Sequence, residues 1–321
     1  MIALSDIQEA RGRIRPHVLA TPVLPAPWLD QAGGGPVYLK PESLQATGSF
    51  KARGAGSLLL SLGREALAKG VVTASSGNHG LGVAFIAARL GCPATVIVPD
   101  GCTPIKMSGL KALGARVVAY GRSSKERRAY AHTLADEEGM LFVHSHDDPL
   151  IAAGQGTIGL EILDSLPGLG AVVVPVGGGG LIAGIATAIK ESNPAVKVYG
   201  VEPEIGCCMK MSLDKGEIVE LPATPATIAD GLRGTRPGAL PFAVAQKYVD
   251  GVVTVSEAAI RAAVRGLLRR SKLVIEPSGA VVAAAVMQGL IPPCEGPVCA
   301  VLSGGNIDER VLIDILSEGE D

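Results

Sequence analysis

Short apolar runs rich in β-branched residues alternate with alanine-rich stretches through most of this 321-residue chain. Runs such as residues 94–98 and 171–176 have the length of buried strands, and the stretches between them have the length of helices. Strands that are apolar on both faces and separated by helices are typical of parallel sheets covered by helices. The sequence therefore predicts an α/β fold with mostly parallel sheets.

The alternation can be assigned to individual elements. We predict strands at residues 70–74, 94–98, 116–120, 171–176, 196–201 and 298–302. We predict helices at residues 81–90, 104–113, 124–138 and 181–192. The rhythm breaks at residues 144–156, where Pro149 and several glycines intervene, and we expect a crossover between two open lobes there. Ligands of such sheets bind at the carboxyl ends of the strands.

The bulk composition favours a compact protein without a nucleic-acid or membrane partner. The net charge of −2 provides no basic surface for nucleic acid or anionic lipid. Six cysteines form no C-x-x-C pair and the N-terminus lacks a signal-peptide pattern, which together indicate a reduced, cytoplasmic protein. The uncharged runs 171–189 and 277–294 approach the length of a membrane span, about 20 residues. Glycines and prolines interrupt both runs, so we expect buried elements instead.

Four consecutive glycines, Gly177 to Gly180, follow the apolar strand at residues 171–176 and precede a helix that begins near Leu181. Bare N–H groups at a helix N-terminus can cradle a phosphate, and the helix dipole adds about 0.3–2 kcal/mol. A tight turn that packs the helix on the sheet would need only one or two glycines. The loop therefore favours a phosphate site.

The identity of that phosphate is open from this loop alone. Gly178, Gly180 and Ala183 match the spacing of the dinucleotide fingerprint, and Glu202 follows the next strand, where a ribose-binding acid would lie. A nicotinamide oxidoreductase, NAD(P)-dependent, is therefore one alternative.

Three further segments carry candidate chemistry. Lys51 follows Phe50 among small residues, and a lysine amine can form a Schiff base with an aldehyde cofactor. Residues 75–80 follow a strand, and their N–H groups could hold a carboxylate, although Ser and Asn there also suit a helix N-cap. Ser303 offers a hydroxyl at the end of the strand at residues 298–302.

Together these segments resemble the β-family (fold type II) of pyridoxal-phosphate enzymes, and within it the serine/threonine dehydratase and serine racemase group. The matching motifs lie in order at residues 47–55, 76–80, 154–161, 177–181, 200–203, 227–231, 276–280 and 303–306. The resemblance covers nearly the whole chain and implies pyridoxal 5'-phosphate in a cleft between two lobes. It implies a large domain of residues 1–54 and 147–321, a small domain of residues 55–146, and a homodimer.

The resemblance also implies roles for individual residues. It places the cofactor against Phe50, Lys51, Asn78, Gly177, Gly178, Gly179, Gly180, Leu181, Gly231, Glu276 and Ser303. It places the substrate carboxylate on the segment formed by Ser75, Ser76, Gly77, Asn78 and His79. Lys51 would bind the cofactor covalently and then remove the Cα proton, and Asn78 would bond the phenolic oxygen. The neutral hydroxyl of Ser303 would leave the ring a weaker electron sink, which favours loss of a β-substituent.

The implied reaction is dehydration of a β-hydroxy amino acid, such as L-threonine or L-serine, to a 2-oxo acid and ammonia. The alternative is a racemase in which Lys51 and Ser76 act as bases on opposite faces of the substrate, since similar dehydratases commonly have Ala at position 76. Which β-hydroxy amino acid is preferred, and with which stereochemistry at Cβ, stays open.

Two groups of potential metal ligands need a separate interpretation. Relatives that bind a divalent cation use a Glu, a carbonyl four residues on and an Asp six residues on, which here correspond to Glu202, Gly206 and Cys208. A thiol disfavours a hard cation, so we expect no metal there, while a divalent cation stays an open question. Residues 144–148 contain two His and two Asp that could bind zinc, but we expect a crossover loop.

Overall fold

The computed structural model describes residues 1–75, 77–102 and 104–318, in which strands and helices alternate. The strands are β1 (Leu24–Pro25), β2 (Val37–Pro41), β3 (Val71–Ala74), β4 (Ala94–Val98), β5 (Arg116–Ala119), β6 (Leu141–Phe142), β7 (Ala171–Pro175), β8 (Lys197–Pro203), β9 (Gly251–Val255) and β10 (Val298–Leu302). The helices are α1 (Leu4–Ile14), α2 (Asp30–Gly33), α3 (Lys51–Leu59), α4 (Asn78–Leu90), α5 (Pro104–Ala112), α6 (Ser124–Glu138), α7 (Pro149–Ser165), α8 (Gly180–Ser192), α9 (Cys208–Lys215), α10 (Ala239–Tyr248), α11 (Glu257–Gly266), α12 (Pro277–Met287) and α13 (Glu309–Ser317).

The larger sheet has the spatial order β1-β2-β10-β7-β8-β9. Strand β1 is antiparallel to β2, and the other described pairs are parallel. Along β7, Val172 and Val174 pack in one hydrophobic cluster, while Ala171 and Val173 pack in another. Because successive side chains of a strand point to opposite faces, both faces of this sheet are buried. This explains why the strand sequences are apolar without alternation.

The smaller sheet has the order β5-β4-β3-β6 and all its pairs are parallel. Its strands lie between β2 and β7 in sequence. The strands of the larger sheet therefore come from the parts of the chain before and after this segment. The predicted α/β class, with two lobes of mostly parallel sheet, is confirmed.

The predicted elements match the structure closely, with one exception. Elements β4, α6 and β10 have the predicted bounds, and α4 begins three residues earlier than predicted, at Asn78. The prediction for residues 144–156 is wrong in part, because α7 begins at Pro149. The Asp148 carboxylate accepts a 2.9 Å hydrogen bond from the N–H of Ile151 and caps this helix. Most of α7 is buried, so its sequence lacks the apolar stripe of a surface helix.

Glycines in α7 allow three helices to approach closely. Helices α3 and α7 meet at Gly54 and Gly154, where a Cβ atom on Gly154 would lie 2.7 Å from the Cα atom of Gly54. Helices α7 and α8 meet at Gly156, where a Cβ atom would lie 2.8 Å from the carbonyl oxygen of Gly184. These contacts hold the first turns of α3 and α8, which carry Lys51 and the glycine loop, in a fixed relation.

A buried group of charges lies beneath the first turn of α3. The Arg53 guanidinium donates to Glu42 at 2.7 and 2.8 Å and to Glu161 at 2.6 and 2.9 Å. The Lys40 amine donates to Glu161 at 2.6 Å. Two cations therefore face two carboxylates, and each carboxylate is paired. The group anchors the helical turn that begins at Lys51.

Of the two uncharged runs that resemble membrane spans, residues 171–189 are buried almost throughout, whereas the second is buried from Pro277 to Val286 and mostly exposed beyond it. Residues 171–189 form β7, the glycine loop and most of α8, and α12 is 11 residues long. In the described parts of the chain, no helix has the length and apolar character needed to cross a membrane.

Candidate active site

Backbone contacts bring Lys51 to the carboxyl end of β10. Ser49 forms an isolated antiparallel bridge with Gly304, and the N–H of Phe50 donates to the carbonyl oxygen of Ser303 at 3.1 Å. Lys51, the next residue, begins α3. Lys51 and Ser303, which lie 252 residues apart in sequence, therefore belong to backbone segments that are adjacent in the fold.

The Lys51 amine is held between polar and aromatic groups. It donates a 2.9 Å hydrogen bond to the carbonyl oxygen of Ser145 and lies 4.9 Å from the centre of the Phe50 ring. Burial lowers the pKa of this amine to about 8, although the nearby Glu276 carboxylate acts in the opposite direction. The neutral form, which is the nucleophilic one, is therefore accessible near neutral pH.

The glycine loop between β7 and α8 is tightly enclosed. Gly179 has φ of +92°, a conformation that favours glycine. A Cβ atom on Gly178 would lie 2.5 Å from the His146 ring, and one on Gly180 would lie 2.8 Å from the His146 carbonyl oxygen. The first N–H groups of α8 have no partner within the helix. The loop thus has no room for side chains and presents backbone donors to an anion.

The crossover segment packs against this loop and contains three residues joined by hydrogen bonds, His144, His146 and Asp147. The Nδ1 atom of His144 accepts hydrogen bonds from the N–H groups of His146, at 3.2 Å, and Asp147, at 2.8 Å. The Asp147 carboxylate accepts 3.0 Å bonds from the N–H groups of Ala239 and Leu240 at the start of α10. These bonds use donors and acceptors that a zinc site would need. Among the described residues, no group of three or more His, Cys, Asp or Glu could hold a metal ion.

The histidines around the amine are neutral. Burial lowers the pKa of His146 well below its usual range, and burial likewise lowers the pKa of His144. Burial also lowers the pKa of His79 to about 3, and the Nε2 atom of His79 lies 3.2 Å from the carbonyl oxygen of Val143, to which it donates. The imidazole of His79 thus faces β6 and the crossover segment, although its backbone belongs to the segment predicted to bind substrate.

Asn78, at the start of α4, is bonded on both sides of its amide. Its Nδ2 atom donates to the Glu276 carboxylate at 2.7 Å, and its Oδ1 atom accepts from Asn306 at 2.7 Å. Glu276 precedes α12 and is 4% exposed. The N–H of Gly231 donates to the Ser278 hydroxyl at 2.8 Å, and a Cβ atom on Gly177 would lie 3.3 Å from the Gly231 carbonyl oxygen. The segments predicted to line the cofactor thus converge from both sheets.

The sequence did not identify three participants. Ser145 receives the Lys51 amine, Asn306 bonds Asn78, and the carbonyl oxygen of Thr47 accepts from Asn306 at 2.8 Å. Thr47 and Asn306 belong to motifs recognised in the sequence, so their place in the site was predictable. Their bonding partners were not, because those partners are distant in sequence.

A family model described as pyridoxal-phosphate dependent enzyme matches residues 14–304. The chain belongs to this family. It is 46% identical, over 99% of its length and 79% of the relative, to an L-threonine ammonia-lyase of Geobacter sulfurreducens. Its fold matches a threonine deaminase from T.th. with a TM-score of 0.89 and 44% identity, covering 95% of this chain and 99% of the other. It matches maize serine racemase with a TM-score of 0.92 and 33% identity, covering 98% and 97%.

Pyridoxal phosphate is the cofactor of this pyridoxal-phosphate-dependent enzyme, and the residues present fit it. The Lys51 amine suits the aldehyde, and a loop that excludes side chains suits the phosphate. The nicotinamide alternative is therefore wrong. Ser76, the second base of the racemase hypothesis, lies outside the described residues.

Glu202 caps a helix in this enzyme. Its two carboxylate oxygens accept hydrogen bonds from the N–H groups of Met209, at 2.9 Å, and Lys210, at 2.8 Å. Burial raises the pKa of this carboxyl group to about 8. The Cys208 thiol lies 3.7 Å from the carbonyl oxygen of Gly234. The bonds from α9 give Glu202 a structural role as the cap of that helix.

Proposed function

We propose that the chain is an L-threonine ammonia-lyase, which eliminates the β-hydroxyl of L-threonine and releases a 2-oxo acid and ammonia. The observation that carries the proposal is the Lys51 amine, with its pKa lowered to about 8, at the carboxyl ends of the strands beside a glycine loop. The proposal is supported by the curated relatives, which are named L-threonine ammonia-lyase or dehydratase at 41–46% identity. L-Serine is the second substrate that the same chemistry accepts.

Lys51 carries two roles in this proposal. It holds the cofactor covalently in the resting enzyme, and its freed amine then accepts the Cα proton of the substrate. Bound pyridoxal phosphate supplies an electron sink for the negative charge that develops at Cα. The carbonyl oxygen of Ser145 orients the amine, and burial keeps a neutral, proton-accepting form available near neutral pH.

The other residues bind and orient the cofactor. The N–H groups of Gly177 to Leu181 hold the phosphate, and Asn78 donates to the phenolic oxygen. The neutral hydroxyl of Ser303 would be the partner of the pyridine nitrogen and would not hold a proton there, which would favour elimination over transamination. Phe50, Gly231 and Glu276 would line the ring. Together these residues would hold the ring next to the Lys51 amine.

The substrate carboxylate binds the loop after β3. In the proposal, N–H groups in the segment Ser75 to His79 hold it, by the same physics that holds a phosphate at a helix N-terminus. The N–H of Gly77 donates to the Ser75 hydroxyl at 3.3 Å. The carboxylate then fixes the Cα–H bond relative to the Lys51 amine.

A racemase is the second candidate function. A serine at position 76 could protonate the face opposite Lys51, and maize serine racemase shares the fold with a TM-score of 0.92. Chiral analysis of serine after incubation with the holoenzyme separates the two functions. D-Serine formed faster than 2-oxo acid would favour the racemase.

We further propose a cytoplasmic homodimer with no nucleic-acid or membrane partner. In this proposal the chain divides into a small domain of residues 55–146 and a large domain of residues 1–54 and 147–321. The reduced state of the six cysteines is compatible with the cytoplasm.

The decisive assay measures 2-oxo acid formation by the holoenzyme from L-threonine and L-serine. We expect turnover by the wild type and its loss in Lys51→Ala. Lys247→Ala, which removes an exposed lysine beside Tyr248, is the matched control and should keep wild-type turnover. A wild-type holoenzyme that forms no 2-oxo acid from either amino acid would refute the proposal.

A further inference from the structure

A series of hydrogen bonds joins Thr47, Asn306, Asn78 and Glu276 at the candidate site. The Nδ2 atom of Asn306 donates to the carbonyl oxygen of Thr47 at 2.8 Å and to the Oδ1 atom of Asn78 at 2.7 Å. The Nδ2 atom of Asn78 donates to the Glu276 carboxylate at 2.7 Å. Four residues from four separate segments are thereby joined in one line.

The direction of donation in this series of hydrogen bonds is fixed by the acceptors at both ends. A primary amide has two N–H donors and one oxygen acceptor, whereas a carbonyl oxygen and a carboxylate only accept. Asn306 uses both of its N–H bonds on oxygen atoms, so turning its amide over would place its oxygen against two acceptors. Asn78 must therefore present its oxygen to Asn306 and its nitrogen to Glu276.

This arrangement determines what Asn78 can offer to a ligand. The bond to Glu276 uses one of its two N–H bonds, and the bond from Asn306 occupies its oxygen. The second N–H bond is the donor that the amide can direct to another group. If Asn78 were turned over, its oxygen would face that group instead and would repel an anion.

Backbone hydrogen bonds support the segments that carry Asn306 and Glu276, the two residues bonded to Asn78. The N–H of Gly305 donates to the carbonyl oxygen of Gly48 at 2.9 Å, and the N–H of Glu276 donates to the carbonyl oxygen of Gly304 at 3.1 Å. A Cβ atom on Gly304 would lie 2.6 Å from the Glu276 carboxylate, so that carboxylate packs directly on the loop after β10. Asn78, in contrast, follows β3 of the smaller sheet. The larger sheet thus sets the orientation of a residue from the smaller one.

We propose that Asn306 and Glu276 are positioning residues that fix the Asn78 amide, so that its second N–H is directed at the phenolic oxygen of pyridoxal phosphate. The inference rests on the proposed role of Asn78 in the proposed function. A donor that is held in place stabilises the deprotonated phenolic oxygen and so lowers the pKa of the bound cofactor's proton. Asn306 acts only through Asn78 in this account.

The test compares Asn306→Asp with wild type. Aspartate has nearly the same shape but no N–H donors, so its carboxylate would oppose both the Thr47 carbonyl oxygen and the Asn78 oxygen. We expect the pH at which the absorption spectrum of the bound cofactor changes to rise by about one unit, a tenfold change in the protonation equilibrium. We expect the affinity of the apoprotein for pyridoxal phosphate to fall as well, as measured by equilibrium dialysis. Asn306→Ala, which removes the donor without adding a charge, should shift both quantities less and in the same direction.

The matched control is Asn193→Asp, which makes the same chemical change at the exposed end of α8. It should leave the spectrum and the affinity at wild-type values. Asn78 bonds the Glu276 carboxylate, which acts on the Lys51 amine, and Lys51 in turn acts on His79, His144 and His146. All of these titratable groups are retained in the variants. Because Asn306→Asp also adds a negative charge, the part of the shift that Asn306→Ala retains is the part that reports the amide.

The outcomes separate the inference from the proposed function. A wild type that binds no cofactor refutes the proposed function itself. If the wild type binds cofactor and forms 2-oxo acid, but the Asn306 variants match it in spectral titration and affinity, the positioning role of Asn306 and Glu276 is overturned and the proposed function stands. If Asn306→Asp does not fold by circular dichroism, Asn306→Ala decides the question by the same two measurements.

Discussion

The Lys51 amine donates a 2.9 Å hydrogen bond to the carbonyl oxygen of Ser145. The lysine begins the helix that follows the Ser49–Gly304 bridge, and the serine belongs to the crossover segment that covers the glycine loop. The Ser145 carbonyl oxygen is a neutral acceptor, so it orients the amine without the full negative charge that would favour the protonated form. Burial therefore governs its titration, and the pKa falls to about 8.

The first prediction concerns the pH dependence of cofactor capture. Because burial lowers the pKa of Lys51 from its ordinary value of 10.5, the neutral amine becomes abundant as the pH rises through about 8. The rate at which apoprotein binds pyridoxal phosphate should rise up to that pH and then level off. Stopped-flow absorbance across a pH series measures it. A rate that still climbs steeply toward about pH 10, the range of an unperturbed lysine, would show that the amine is not desolvated.

The second prediction concerns the glycine loop. Gly178→Ala would place a Cβ atom 2.5 Å from the His146 ring, so either the ring or the loop must move. We expect the affinity for pyridoxal phosphate to fall roughly tenfold or more, equivalent to about 1.4 kcal/mol, as measured by equilibrium dialysis. Gly12→Ala in α1 is the control, because nothing lies within 4 Å of its Cβ position. It should leave the affinity unchanged, and equal affinities for the two variants would contradict a closed loop.

The third prediction concerns the buried charges beneath α3. Arg53→Leu leaves the Glu42 and Glu161 carboxylates without their shared partner, and such losses cost about 3–5 kcal/mol. Denaturant unfolding measures the change. Arg116→Ala breaks an exposed pair with Glu138 and should cost at most about 1 kcal/mol. Similar costs for the two variants would argue that the buried charges do not anchor α3.

Periodicity alone predicted the parts of the fold that alternate regularly. Strands β4 and β10 and helix α6 match their predicted bounds, because each is a clean apolar run or a capped polar helix. Helix α7 was missed in part, because it is buried on most sides and relies on glycines at its crossings with α3 and α8. A helix of that kind has neither the composition nor the periodicity of an exposed one.

The candidate site was predictable as a set of segments and not as a set of contacts. Motif order placed Lys51, Asn78 and Ser303 in one site. No local pattern reveals that Asn306 bonds Asn78 across 228 positions, or that Ser145 receives the Lys51 amine across 94. Such pairs depend on how the two sheets face each other, which is a property of the tertiary structure.

The central claim is that Lys51 carries the cofactor, and chemical trapping tests it most directly. Borohydride reduction of the holoenzyme would fix the Schiff base as a stable amine, and peptide mapping by mass spectrometry would then locate the adduct. We expect a single pyridoxyl adduct on the peptide that contains Lys51. An adduct on another lysine, or none after the protein has been saturated with pyridoxal phosphate, would contradict it.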